Sequence, residues 1–577
     1  MENKKEIKKV RWTKRLKATV ISLALAMSVA LGGAVAALVI TSNNNNKLGG
    51  SIADIGGGSG SGDNAITTTI TASSGLGKFN NGATYRHTGI SSNNPVANQS
   101  VTVVSTATWG SQTNPYVIRD AADWLFFANA VNNGTATPSG GTAYASATYV
   151  INAGGILDFY NTTLTPVGTQ SRPFTGTVYG NNTVFYFADI GSVTATNVPM
   201  GYSQTAPSVT VRASGLLGIT GGNALIADIT LDNSCKLASS MQNSSWTASG
   251  YPAVGSFVGI VNAGNRLINF TSKMPITFTN TAANNTYCAI GCLVGYLGDG
   301  GTGLTVVGCS YVGTMTIKGS SSGNLNDASK IGGLVGYTKH SATYIHNVLV
   351  SASYFNTTMN VSNLGLNASG LIGGTGCAGG STSPGGANAG VKFVVQNSVV
   401  EWNCNATNCG SPDYNAIVGY PYAVANGSTM TNVGIISNAT NMAGCTSAGW
   451  ISANRTNVYS YCNYTTAESP NTTSEVRTNI AGNANIKNYL NVATSGVVSG
   501  VKIAAVPTLR IHYNVGNLAG ANAPVDSSFN SGSNVTLKNP VSVPTGTTFN
   551  NWRLNSVTGT AVSNTSGKTT HLTVYAT

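Results

Sequence analysis

One short signature recurs along the middle of the chain and limits its folding more than any other feature. A small residue, any residue, two apolar residues and a closing residue, glycine each time, appear as Ser214-Gly215-Leu216-Leu217-Gly218, Gly255-Ser256-Phe257-Val258-Gly259 and Gly291-Cys292-Leu293-Val294-Gly295. The same pattern returns as Gly332-Gly333-Leu334-Val335-Gly336, Ser369-Gly370-Leu371-Ile372-Gly373 and Asn415-Ala416-Ile417-Val418-Gly419. The closing glycines are 41, 36, 41, 37 and 46 residues apart. A period of this size marks stacked units, because one unit of short strands cannot bury its own apolar face. A second column follows the signature at Asp228, Asn269, Gly308, Asn347, Asn397 and Asn432. Asp, Asn and Gly tolerate a left-handed backbone, so this column reads as a ladder of turns. The residues after it (Ile229, Phe270, Cys309, Val348, Ser398, Val433) are mostly apolar or small and are expected to face the core. Cys309 then acts as a small hydrophobe.

Between the signatures lie runs of four to six residues rich in Val, Ile, Thr and Tyr, punctuated by Gly and Asn. The fold class this predicts is all-β, a parallel β-helix or solenoid. At roughly 20 residues per coil, each unit supplies two coils, and 106–500 supplies about 20. At roughly 4.8 Å per coil the stack is about 90–100 Å tall. One amphipathic helix stands before it, over 120–131, with Trp124, Phe126, Phe127, Ala130 and Val131 at helical spacing and Asp120 as its cap. It is expected to cover the open end of the stack, whose strand edges are otherwise bare. No other helix is predicted outside the export segment, which excludes a βαβ sheet.

Composition narrows the class. Charged residues are only 8% of the chain, which excludes coiled coils and long bundles. The net charge of +12 is concentrated at the start, where eight Lys and Arg against two Glu in residues 1–17 account for +6. The remainder has no basic stripe, so nucleic acid is not an expected partner. An apolar run over 18–40 follows the basic head, as in a secretory signal, and it is also long enough to span a bilayer. Ala34-Val35-Ala36 offers a cleavage site; uncleaved, the run is a membrane anchor. Both readings stand open, and both put the rest of the chain outside the cell. The predicted organisation is 1–42 signal peptide or anchor, 43–105 a Gly/Ser/Asn-rich spacer, 106–500 the stack, and 505–577 a small separate β domain. Nine cysteines cannot all pair within one chain. Cys288/Cys292 and Cys404/Cys409 have faint metal-like spacing without an accompanying His, so no metal and no cofactor are expected.

An enzyme reading needs carboxylates that face one substrate. The candidates are Asp120 with Asp123, Asp228 with Asp232, and Asp299 with Asp327. Helix capping, the turn column and loop positions account for most of them, and His87, His340, His346, His512 and His571 are scattered. No catalytic residue is expected. A binding reading has more support. Tyr296, Tyr337 and Tyr420 each follow a closing glycine. This column is either an aromatic ladder for stacking on sugar rings or the packing of one coil on the next.

The repeats resemble the GLUG motif of bacterial surface proteins, with Gly333-Leu334-Val335-Gly336 the best match. Asn114-Pro115-Tyr116-Val117-Ile118 before the Trp124 helix, then Pro166-Val167-Gly168 and Pro173-Phe174-Thr175-Gly176, are similar to the lead-in of those domains. The resemblance covers about 106–440 and implies a right-handed parallel β-helix on secreted or surface proteins, many adhesin-like. The end of the chain resembles a Listeria–Bacteroides repeat, the β-grasp-like module of internalin-type surface proteins. The matching residues are Tyr513, Pro524, Phe549-x-x-Trp552 and Leu572-Thr573-Val574-Tyr575-Ala576. The expectation is a non-enzymatic cell-surface or secreted protein with an adhesion or coat role, taking a glycan or surface-protein ligand or self-associating. The alternative is a secreted polysaccharide lyase or glycoside hydrolase.

Overall fold

The computed structural model describes residues 70–88, 98–153, 155–159, 162–186, 189–199, 208–244, 250–281, 288–298, 303–320, 329–338, 345–375, 390–415, 417–418, 427–438, 454–462, 472–502, 508–514, 516–518, 521, 527–530, 534–540, 542–568 and 572–577. The export or anchor segment, Gly419 and Tyr420 lie outside this set.

The chain is all-β, with parallel pairing dominant. Ten successive strands among the described residues form one ladder, beginning with Tyr116–Ile118, Thr148–Ile151, Thr177–Tyr186 and Leu225–Leu231. It continues through Asn265–Ile268, Leu304–Val307, Ile345–Ser351, Gly390–Thr407, Thr429–Ser437 and Asn454–Cys462. Each strand pairs in parallel with the one a unit later. Ile226, Leu267, Val306, Val350, Val395 and Met430 occupy one buried column of this ladder.

The signature makes a sharp fold within each unit. A strand ends at or beside the small residue, two residues bend, and a second strand begins at the second apolar residue. Ser329–Gly332 and Val335–Thr338 show the pattern. The first apolar residue sits in the bend and points into the main core; Leu216, Phe257, Leu293, Leu334 and Leu371 are all at most 1% exposed. The second strands stack in register as Leu217, Val258, Val294, Val335 and Ile372. The first strands stack as Ala213, Ala253, Ala289, Lys330 and Asn367. A second, smaller core lies between these two sheets, built from Ala213, Ala253, Ala289, Ile219, Ile260, Tyr296 and Tyr337. Both sheets are therefore covered on both faces, which is why their strands are buried without alternation.

This folding-back corrects the expected coil count. Leu217 pairs with Val258, 41 residues on, so one unit makes one layer and not two. The residues assigned to a second coil form the folded strand pair instead. The stack is about half as tall as the sequence predicts.

The closing glycines Gly218, Gly259, Gly295, Gly336 and Gly373 form a column where backbone meets backbone. A β-carbon at Gly259 would lie 2.6 Å from the Ser214 nitrogen, and one at Gly336 would lie 2.6 Å from the Ala289 carbonyl carbon. Glycine is required here by close approach.

The turn column has positive φ at Asp228, Asn269, Gly308, Asn397 and Asn432. Asn347 is not part of it. Asn347 lies within Ile345–Ser351, paired with Lys392, and Ala352 (φ 52°) takes the turn position, between Gly308 and Asn397. The column extends to Asn457 (φ 52°). Its side chains bond along the stack: Asn269 Nδ2 donates to Asp228 Oδ1 (3.1 Å), Asn432 Nδ2 to Asn397 Oδ1 (3.0 Å) and Asn457 Nδ2 to Asn432 Oδ1 (3.0 Å). Asn thus does two things here: it accepts the left-handed turn and ties adjacent layers. Cys309 follows the column and is fully buried, its Sγ donating to the Leu267 carbonyl oxygen.

Helix α1, Ala121–Asn133, forms where the spacing predicts it, capped by Asp120, whose side chain accepts from the Asp123 nitrogen (2.9 Å). Trp124 packs edge-on against Phe127 and Phe185, and Phe127 packs on Tyr149 and Phe174. These rings plug the core behind the first strands. Helices α2, Thr473–Gly482, and α3, Ala484–Tyr489, are additions to the predicted elements. They cover the outward face of the last layers, where Val476, Ile480 and Ile486 pack with Tyr354, Val399 and Ile436.

The spacer reading also changes. Within 70–105, the described residues form a strand, Gly77–Lys78, and a hairpin of Thr84–Thr88 with Asn98–Thr102. Phe79, Ala83, Tyr85 and Val103 cover Val117, Val150, Tyr179, Leu225, Ala227 and Ile268 on the outward face of the first layers. At the end of the chain, Thr508–Asn514, Ser527–Asn530, Trp552–Leu554, Ala561–Val562 and Leu572–Ala576 form a five-stranded mixed sheet. Its core has Tyr513 packed edge-on against Trp552, and the Trp552 indole donates to the Lys538 carbonyl oxygen (2.8 Å).

Candidate binding face

Beyond the turn column the ladder continues as three long in-register segments: Ser310–Lys318, Tyr354–Ser362 and 399–407. Ile276–Asn280 adds a fourth strand along part of it. Alternation decides what each face carries. Tyr311, Met315 and Ile317, then Phe355, Met359 and Val361, then Val400, Trp402 and Cys404 turn into the core and are buried.

The opposite face is polar. Thr314, Thr358 and Asn403 form one column, and Thr277, Thr316, Asn360 and Asn405 the next. Thr279, Lys318, Ser362 and Thr407 form a third. All of these side chains are exposed or half-buried. Asn405 Nδ2 donates to Asn360 Oδ1 (2.9 Å), so part of the array is already ordered. Parallel strands lie about 4.8 Å apart and alternate residues about 6.6 Å apart. The result is a flat grid of hydroxyl and amide groups, roughly 13 Å by 14 Å. Its charges are sparse: Lys318 lies within it, while Glu401, at its border, is held by Arg477 from α2 (2.8 Å). Such a surface can hydrogen-bond many small partners at once without selecting a charged one.

The tyrosine column is not an exposed platform. Tyr296 and Tyr337 do pack together, with ring centroids 5.6 Å apart and planes tilted by 40°, but each is 2% exposed inside the second core. Tyr311 and Tyr354 are likewise buried.

The candidate acids have structural surroundings. Asp123 is buried and receives two bonds from the Arg119 guanidinium (2.6 and 2.9 Å), while Asp120 caps α1. Asp228 is in the turn ladder, and Asp232 accepts from the Ser234 nitrogen in a local turn. Asp299 and Asp327 lie outside the described residues, as do His340, His571 and the side chains of His87, His346 and His512. Among the described residues, no group of three His, Cys, Asp or Glu is placed to hold a metal. Cys288, Cys292, Cys309, Cys404 and Cys409 are free thiols. Burial pushes the Cys288, Cys309 and Cys404 thiols up to about 12, which keeps them protonated and poor nucleophiles. No helix among the described residues is long and apolar enough to cross a membrane.

No protein-family model, curated protein or solved structure matches the chain.

Proposed function

We propose that the chain is a right-handed parallel β-helix of the GLUG type, carried outside the cell, that adheres to a polysaccharide surface through the Thr/Asn grid. The observation that carries this reading is the grid itself. Three or four strands hold their polar side chains in fixed register over a fully packed core. A polymer that repeats its own hydroxyl groups along a surface meets such a grid at many points at once. Each contact is weak, but preorganisation removes most of the ordering cost. The open run of parallel pairings from Tyr116–Ile118 to Asn454–Cys462 favours a helix of strands over a closed barrel. The export-like head favours an extracellular place, and the C-terminal sheet is read as the Listeria–Bacteroides module.

The test is co-sedimentation of the full chain with insoluble cellulose, chitin and peptidoglycan. The double variant Thr316→Tyr, Thr358→Tyr roughens the grid without touching the core. Binding to at least one solid is expected, weakened at least about tenfold in the variant, or about 1.4 kcal/mol. Equal binding by both proteins contradicts the assignment of the face. Release of soluble sugar from any of the solids would support the hydrolase or lyase reading instead.

A further inference from the structure

The third column of the grid spans one more strand. Asn243–Ser244 pairs with Ile276–Asn280 and sets Asn243 beside Thr279, so the column reads Asn243, Thr279, Lys318, Ser362, Thr407. Five strands at about 4.8 Å give it a length of about 19 Å. Thr277, Thr316, Asn360 and Asn405 run parallel to it, about 6.6 Å away. A chain laid between the two columns meets polar groups on both sides at every step of about 4.8 Å. An extended pyranose chain with equatorial linkages advances by nearly the same distance per sugar. Sugars and strands therefore keep step along the stack.

The charge on this face has one sign. Lys318 is exposed and makes no ion pair among the described residues. The same holds for Lys273, exposed three residues before Ile276–Asn280. Glu401 stands six residues from Thr407 along its strand and is already held by Arg477 (2.8 Å). A neutral glycan packed over Lys318 would take water from its ammonium and return no counter-charge. A carboxylate returns one, in a charge-assisted hydrogen bond. In a uniform chain of uronic acids every sugar carries a carboxylate, so Lys318 meets one whichever sugar lies over it. A chain with few acids would have to bind in a single register.

We propose that the face takes an extended chain of uronic acids, laid along the stack between these two columns, with Lys318 holding a carboxylate. This deepens the polysaccharide reading above and rests on it. The Thr and Asn groups meet the sugar hydroxyls, and Lys318 selects among glycans. No covalent bond is made or broken.

The experiment is co-sedimentation of the full chain with agarose beads carrying polymannuronate, with plain agarose as the blank and cellulose as the neutral solid. At low salt the polymannuronate beads are expected to bind about threefold more tightly than cellulose. Lys318→Gln is expected to remove that margin and leave cellulose binding unchanged. Lys318→Glu should bind the beads more weakly still, because it sets like charges together. At about 0.5 M salt the parent loses its margin as well, since screening then acts within a few ångströms. Lys487→Gln removes the same charge from an exposed site on α3 and is expected to change neither value. Cellulose binding without a preference for the beads, or a margin that survives Lys318→Gln, overturns the uronate assignment and leaves the grid reading standing. Equal weakening by Lys487→Gln shows attraction by overall charge and overturns the assignment too. Bead binding lost in Lys318→Gln but kept in Thr316→Tyr, Thr358→Tyr contradicts the grid itself. Binding to neither solid removes both readings.

Discussion

Gly336→Ala destabilises the stack by about 3 kcal/mol, read as a fall in the urea midpoint followed by far-UV circular dichroism. The new methyl would collide with the Ile290 backbone nitrogen and lie 2.6 Å from the Ala289 carbonyl carbon and 2.7 Å from the Gly295 oxygen. All three belong to backbone, so no rotamer change relieves them. Gly295 meets Val254, Ala253 and the Gly259 oxygen in the same way, and Gly373 meets Ile331 and the Gly336 oxygen. The cost is therefore a property of the column. A matched control is Gly222→Ala, where the nearest atom is 3.7 Å away, an ordinary contact. That variant is expected to stay within about 0.5 kcal/mol of the parent. Equal stability of the two variants would mean that the closing glycines are not a contact column.

Trp124→Ala is expected to cost about 3–5 kcal/mol, the range for deleting a fully buried large aromatic. Trp124 holds α1 against Phe185 at 4.9 Å and Phe127 at 5.3 Å. Loss of the ring leaves a cavity at the first layers. The readout is limited proteolysis, with new cleavage expected within 116–186 while 304–362 stays protected. Trp124→Phe keeps most of the volume and removes an indole N–H that has no hydrogen-bond partner among the described residues. It is expected to restore most of the protection. Cleavage spread evenly along the chain would show that α1 is not a local plug.

The all-β class and the repeating unit were legible in the sequence, because their strongest constraints are local. Glycine at a backbone contact and Asn or Asp at a left-handed turn are residue-type requirements, and they repeat. The reading failed where the requirement was relaxed. Ala352 takes a left-handed turn at a cost of roughly 1 kcal/mol, so no pattern of Asp, Asn and Gly could find it. The nearby Asn347 fits the residue type and lies 11 residues past its closing glycine, close to the 10 of Asp228 and Asn269. The real spacing at Ala352 is 16, and the strand before it, Ile345–Ser351, is seven residues long against four for Leu304–Val307.

Helices α2 and α3 did carry a local signal. Thr472 and Glu475 form a reciprocal capping box, Thr472-x-x-Glu475, and Asn483 caps α3 through the Ile486 nitrogen. A low apolar content hid them, since only Val476 and Ile480 of α2 and Ile486 of α3 are buried. The candidate face was also written in the sequence, as alternation in Ser310–Lys318 and Tyr354–Ser362. Sequence alone does not tell which side of a folded strand pair is buried.

The central claim is that units stack in parallel, one layer each, in the register that builds the grid. Engineered cysteine pairs test it most directly. Thr316 and Asn360 are register partners, within reach of a disulfide, whereas Thr277 and Asn360 are two strands apart, about 9.6 Å. Under mild oxidation of the folded chain, peptide mapping should find a disulfide in Thr316→Cys, Asn360→Cys and none in Thr277→Cys, Asn360→Cys. A disulfide in the second pair and not the first would contradict the register and the grid with it.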